Sequence, residues 1–224
     1  MTPAEIITDA RRLLQDTLVP YRYSDTELLG YVNQVLSRMA VFRPDLFGEI
    51  TTFATTANSS VQELPADALR LIDVFQVQNG GAIMEVDRET MTRVAPNWMA
   101  ETAGTPTNYM RHVKNPNQFF LYPRPSAGIT LVLEYAKSPP TYLVGDTITQ
   151  PPPAFYGTIV DGVVWLAESV DNEHVSSGRA KMFYDAFVAA LNASYQSRVT
   201  TDTKAAGLAK RTLTRTGVQA GEVI

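Results

Sequence analysis

SDTELLGYVNQVLSRMAVFRPDLFGEITTFA, residues Ser24 to Ala54, holds the point at which the chain changes its hydrophobic period. Ser24-Asp25-Thr26-Glu27 is a capping box, in which a serine hydroxyl and a glutamate three residues on can satisfy free amides at a helix start. Leu28, Leu29, Val32, Val35, Leu36 and Met39 then recur at three and four, placing one apolar face on a helix. Arg43 precedes Pro44 and is pushed out of helical geometry, so the helix is expected to end near Phe42. From Gly48 onward the period is that of strands, with Ile50 to Ala54 as the first short run.

Upstream, Thr2-Pro3-Ala4-Glu5 repeats the capping signature with a proline at the first helical position, and Ile6, Ile7, Ala10, Leu13 and Leu14 supply the apolar stripe. This helix is expected to reach about Leu18 before Pro20 blocks it. Downstream, Val61 to Leu64 follows Asn58-Ser59-Ser60, and Leu69 to Val77 alternates over most of its length. Asn79-Gly80-Gly81 turns the chain into Ile83 to Val86, and Asp87 can cap a short helix carrying Met91 and Val94. Tyr109 to Val113 and Gln118 to Tyr122 flank Asn115-Pro116-Asn117 as a hairpin, and Ile129, Leu131, Leu133 and Tyr135 alternate strictly.

Pro139-Pro140 and Pro151-Pro152-Pro153 bracket a loop, after which Phe155, Ile159, Val163, Leu166 and Val170 restore the helical period. A last helix is expected from Ser176 to Arg198, carrying Ala180, Phe183, Phe187, Ala190, Leu191 and Tyr195. The expected class is α+β. The two terminal helix pairs, residues 1–47 and 153–199, form a helical bundle, an antiparallel β-unit over 48–152 is inserted between them, and residues 200–224 are an extended C-terminal arm. Leu28, Val32, Leu36, Phe183, Phe187 and Leu191 should then share one core.

The 224 residues carry 19 Lys+Arg against 23 Asp+Glu, a formal charge of -4, which argues against a binder held on nucleic acid by phosphate contacts. From Arg198 onward five cations (Arg198, Lys204, Lys210, Arg211, Arg215) face two acids (Asp202, Glu222), so this tail is +3 on a body of -7. With no cysteine, a disulfide scaffold, a thiol nucleophile and a cysteine metal site are all excluded. No apolar run approaches the roughly 20 residues that span a bilayer, and the start lacks a signal-peptide pattern, so a chain made in a cytosol is expected.

The chemistry-bearing residues read as structural. No GxxxxGK[ST], GxGxxG, GxSxG or HExxH occurs. His112 and His174 have no partner histidine at ligand spacing, so no metal and no cofactor is expected. Asp25 and Glu27 lie in a helix-start box, and Glu85, Asp87 and Glu89 cluster at a strand-to-helix junction, where capping explains them. Tyr21, Tyr23, Phe42, Phe47, Trp98, Tyr109, Phe119, Phe120, Tyr122 and Tyr135 read mainly as core and corner packing, with interface anchoring as the alternative use.

Pro20-Tyr21-Arg22-Tyr23-Ser24-Asp25-x-Glu27-Leu28-Leu29, Val32-Asn33 and Arg43-Pro44-Asp45-Leu46-Phe47 together resemble the opening of head-to-tail adaptor (connector) proteins of tailed bacteriophages. Leu64-Pro65, Leu69 to Val74, Phe120-Leu121-Tyr122-Pro123-x-Pro125 and Leu131-x-Leu133-Glu134-Tyr135 are similar to later parts of that pattern, which spans about Met1 to Arg198. The resemblance implies a structural virion protein at the head-tail junction, synthesised in the bacterial host cytoplasm. It implies a ring, typically dodecameric, that joins the portal protein to a tail nozzle or tail-tube protein. It implies no catalytic residue, no direct sequence-specific nucleic acid binding and no membrane. Lys204, Lys210, Arg211 and Arg215 are the candidate portal-binding residues, because a basic segment with no apolar face of its own suits ordering on a partner. Two other readings compete: a virion-associated cell-wall hydrolase, which needs two carboxylates about 5 to 10 Å apart across a groove, and a monomeric binding module using the β-domain.

Overall fold

The computed structural model describes residues 1–170 and 178–193. Helix α1 (Pro3–Leu14) and helix α2 (Asp25–Phe42) both begin in complete capping boxes, at Thr2/Glu5 and Ser24/Glu27. The Glu27 carboxyl is held below the usual carboxylate range, chiefly by the backbone N–H of Ser24. Helix α1 stops four residues short of the expected Leu18. Gln15 takes a left-handed conformation at φ 57°, and Asp16 turns back to bond Arg11.

A 3-10 turn over Pro44–Phe47 leads without a spacer into strand β1 (Gly48–Ala54). The other elements are β2 (Val61–Glu63), β3 (Ala68–Val77), β4 (Met84–Glu85), α3 (Arg88–Val94), β5 (Asn108–Arg111), β6 (Gln118–Tyr122), β7 (Thr130–Lys137) and α4 (Tyr156–Glu168). A further helix, α5, covers 178–193; the expected ends of that helix, Ser176 and Arg198, lie outside the described residues.

The strands form two sheets, ordered β1-β7-β3 and β2-β6-β5-β4. The first is antiparallel with β7 at its centre, pairing Thr51 with Leu133 and Phe53 with Leu131. The expected β5–β6 hairpin is present, with Met110 opposite Phe120. The β-unit is not purely antiparallel, however: β4 runs parallel to β5. Parallel neighbours need a long crossover, and residues 86–107, which include α3, provide it.

Leu71 and Val74 of β3, Leu131 and Leu133 of β7, Tyr109 of β5 and Phe119 and Leu121 of β6 bury together, so both sheets face one core. Phe120 points the other way, onto Met91 and Trp98, with Met110 beside it. Strand β6 is therefore covered on both faces, which accounts for its unbroken Phe119-Phe120-Leu121 run.

A separate apolar cluster joins the helices. Leu28, Val32 and Leu36 of α2, Ile6 and Ala10 of α1, Ile159 and Val163 of α4, and Phe187 and Leu191 of α5 belong to it, with Phe183 packed against it. Tyr142 and Ile148, from the proline-bracketed loop, reach the same cluster. Asn33 holds that loop reciprocally, its amide donating to the Tyr142 carbonyl at 3.1 Å and its oxygen accepting the Tyr142 N–H at 2.8 Å.

Helices α2 and α5 both pack closely against α4 at Gly162. A Cβ there would lie 2.9 Å from Val35 Cγ1 and 3.1 Å from Phe187 Cδ2. Alanine gains about 1 kcal/mol of helix propensity over glycine, whereas overpacking costs about 1–3 kcal/mol. Gly162→Ala is therefore expected to lower stability by on the order of 1 kcal/mol in urea unfolding. A stabilised variant would show that the α2, α4 and α5 surfaces are looser than this contact requires.

Candidate interaction surfaces

The side chains singled out as chemical candidates are engaged in holding the fold. Asp25 accepts from Arg11 at 2.7 Å. Asp87 caps α3 through the Glu89 and Thr90 amides, Glu89 lies 3.9 Å from Arg93 one turn on, and Glu49 pairs with Lys137 at 3.2 Å. His112 Nδ1 accepts from the Lys114 and Asn115 amides and its ring stacks on Phe120, so it organises the β5–β6 turn. His174 lies outside the described residues, as do Lys204, Lys210, Arg211 and Arg215. Among the described residues no group of three or more acidic or histidine side chains is placed to hold a metal ion. No helix among them is long and apolar enough to cross a membrane.

Two buried networks were not anticipated from the sequence. In the first, Arg11 donates to Asp16 at 2.7 Å and to the Tyr23 carbonyl at 2.8 Å. Asp16 in turn accepts the Arg22 and Tyr23 amides, the Tyr21 ring lies 3.9 Å from the Arg11 guanidinium, and the Tyr23 hydroxyl donates to the Ala167 carbonyl of α4. The Pro20-to-Asp25 motif is thus a clamp that fixes the α1–α2 turn and ties it to α4. The second motif, Arg43-Pro44-Asp45, does the same at the other end of α2. Arg43 donates to both Asp45 oxygens and, at 2.6 Å, to the Leu191 carbonyl of α5.

In the β-unit, the Tyr109 hydroxyl donates to Asp73 at 2.7 Å and bonds Glu85 at 3.1 Å. Arg111 pairs with Glu85 at 2.6 Å and donates to the Leu71 and Ile72 carbonyls. Burial, and then the bond to Asp73, push the Tyr109 phenol well above its ordinary range. Two carboxylates do converge here, but on a phenol and a guanidinium that already occupy them. The arrangement pins β5 of one sheet to β3 of the other.

One exposed groove is largely apolar. It has a volume of about 750 Å³, lies between α2, α4 and α5 and is lined by Ser37, Arg38, Val41, Phe42, Trp165 and Tyr184. Val41 is 74% exposed and Phe42 62%. Helical spacing gave no warning of this groove, because Phe42 reads equally as the last core residue of α2.

The ordered motifs, tied as they are into packing and turn geometry, agree with a comparison against protein families, in which the family described as SU10 adaptor protein matches residues 1–211. No curated protein matches the chain. A match over that span, together with candidate residues that serve the scaffold, places the chain plainly: it belongs to the SU10 adaptor protein family, a family of phage structural proteins rather than enzymes.

Proposed function

We propose that this chain is the head-to-tail adaptor of a tailed phage, located at the head-tail junction of the virion and assembled there as a dodecameric ring that joins the portal protein to a tail nozzle or tail-tube protein. The family match over residues 1–211 is the observation that carries the reading. A heterologous contact that closes under rotation generates a ring and requires no catalytic site. In this reading the N- and C-terminal helices form a bundle that faces the portal, and the inserted β-unit faces the tail.

Residues 200–224 serve as the portal-binding arm, with Lys204, Lys210, Arg211 and Arg215 opposite portal carboxylates. Exposed ion pairs of this kind contribute only about 0.2–1 kcal/mol each, so they set register and encounter rate, and multivalency across the ring supplies the affinity. Truncation after Val199 is expected to leave thermal unfolding of the body unchanged and to abolish attachment to portal rings in negative-stain images. Undiminished attachment of the truncated chain would remove the arm from this account.

A further inference from the structure

The groove between α2, α4 and α5 specifies its occupant by two features. Val41, Phe42, Trp165 and Tyr184 offer apolar surface. The Arg38 guanidinium lies over the Trp165 ring, 4.8 Å from its centroid, and is paired with no carboxylate among the described residues. The fitting occupant carries bulky aliphatic side chains beside one acid.

The chain itself continues from the edge of this groove. Helix α5, which bears Tyr184, is described to residue 193, and its Leu191 carbonyl is held by Arg43, the residue after Phe42. Residues 194–224 follow, and they contain two acids, Asp202 and Glu222. Asp202 sits between Thr201 and Thr203, whereas Glu222 is followed by Val223 and Ile224. A segment of about 30 residues reaches at most roughly 100 Å when fully extended, and α2 with its 18 residues is about 27 Å long at 1.5 Å per residue. A return to the groove is within easy reach.

From this match we infer that, in the unassembled protein, Glu222-Val223-Ile224 seats in the groove of its own chain. Val223 and Ile224 lie against Val41, Phe42 and Trp165, and the Glu222 carboxylate meets Arg38. The arm is parked on the helical unit until another surface competes for it. This inference concerns the free protein and is read without portal, so it stands or falls separately from the portal-binding role.

The absence of cysteine makes the test clean. In the full chain, a Val41→Cys/Ile224→Cys variant should form a disulfide within one molecule, since a seated tip brings the two positions into bonding range. Oxidation should be at least about tenfold faster than in a Val113→Cys/Ile224→Cys control, because docking raises the effective concentration of the tip at the groove above that given by tethering alone. Val41 and Val113 are both exposed, so neither change threatens the fold. Glu222→Lys should slow the first reaction several-fold, and adding Arg38→Glu should restore it. Equal rates in the two pairs would overturn the inference. So would cross-linking between molecules, which would assign the groove to the tip of a second copy, or a Glu222→Lys variant that reacts as fast as its parent.

Discussion

Replacing Asp16 by alanine is expected to cost about 3–5 kcal/mol, among the largest single-residue losses in the chain. The side chains of Arg11 and Asp16 are only 9% and 5% exposed, so their attraction is little screened and neither is easily rehydrated when the other is removed. Alanine strips Arg11 of one carboxylate and leaves the Arg22 and Tyr23 amides without their acceptor. Asp25 softens the loss, since it holds the other guanidinium nitrogen but is itself largely exposed. A urea titration should show a lower midpoint with unchanged slope. The double change Arg11→Met/Asp16→Leu should recover part of the loss, because it leaves no stranded charge, while the Arg22 and Tyr23 amides still lack their acceptor. A loss below about 1 kcal/mol for Asp16→Ala would mean that water reaches the turn and that the clamp is weak.

Phe187→Ala is expected to match that cost, at about 3–5 kcal/mol. Phe187 is fully buried, stacks on Trp165 and meets the α2–α4 contact at Gly162. Its removal opens a cavity where three helices converge, and the surrounding backbone can collapse only in part. Tyr184→Ala, one turn away on the same helix but 40% exposed, should cost less than about 1 kcal/mol. The contrast separates burial from any general weakness of α5. Equal effects at the two positions would mean that α5 does not pack on α2 and α4 as described.

The elements whose signals are local were readable in the sequence. Both capping boxes, the Asp87 cap, the end of α2 at Phe42 and the Asn115-Pro116-Asn117 turn depend on residues within four positions of one another, and each lies where its residues indicate. Pairings that depend on distant residues were not readable. Nothing local to Gly48–Ala54 says that its partner is Thr130–Lys137, and the two-residue β4 has no period to read, so its parallel pairing emerged only with the crossover in place. The Arg11–Asp16 clamp was hidden for a different reason. Asp16 lies where continued helix was expected, and only the left-handed Gln15 turns it inward. As for the groove, Phe42 carries the same apolar signature as a core residue, and what separates it is that no described residue buries it.

The helices and the first sheet are joined by two adjacent strands. Strand β1 enters at Gly48 directly from the turn after α2, and Gly48 is paired with Ala136 near the end of β7, where the chain leaves toward α4. The Gln150 amide adds a third tie by donating to the Gly48 carbonyl. A single covalent tether would act as a swivel. Two tethers side by side, about 5 Å apart as neighbouring strands are, resist twisting of the helices against the sheet more than a single one would. Torque applied to the helices therefore passes into the sheet instead of being lost at the joint.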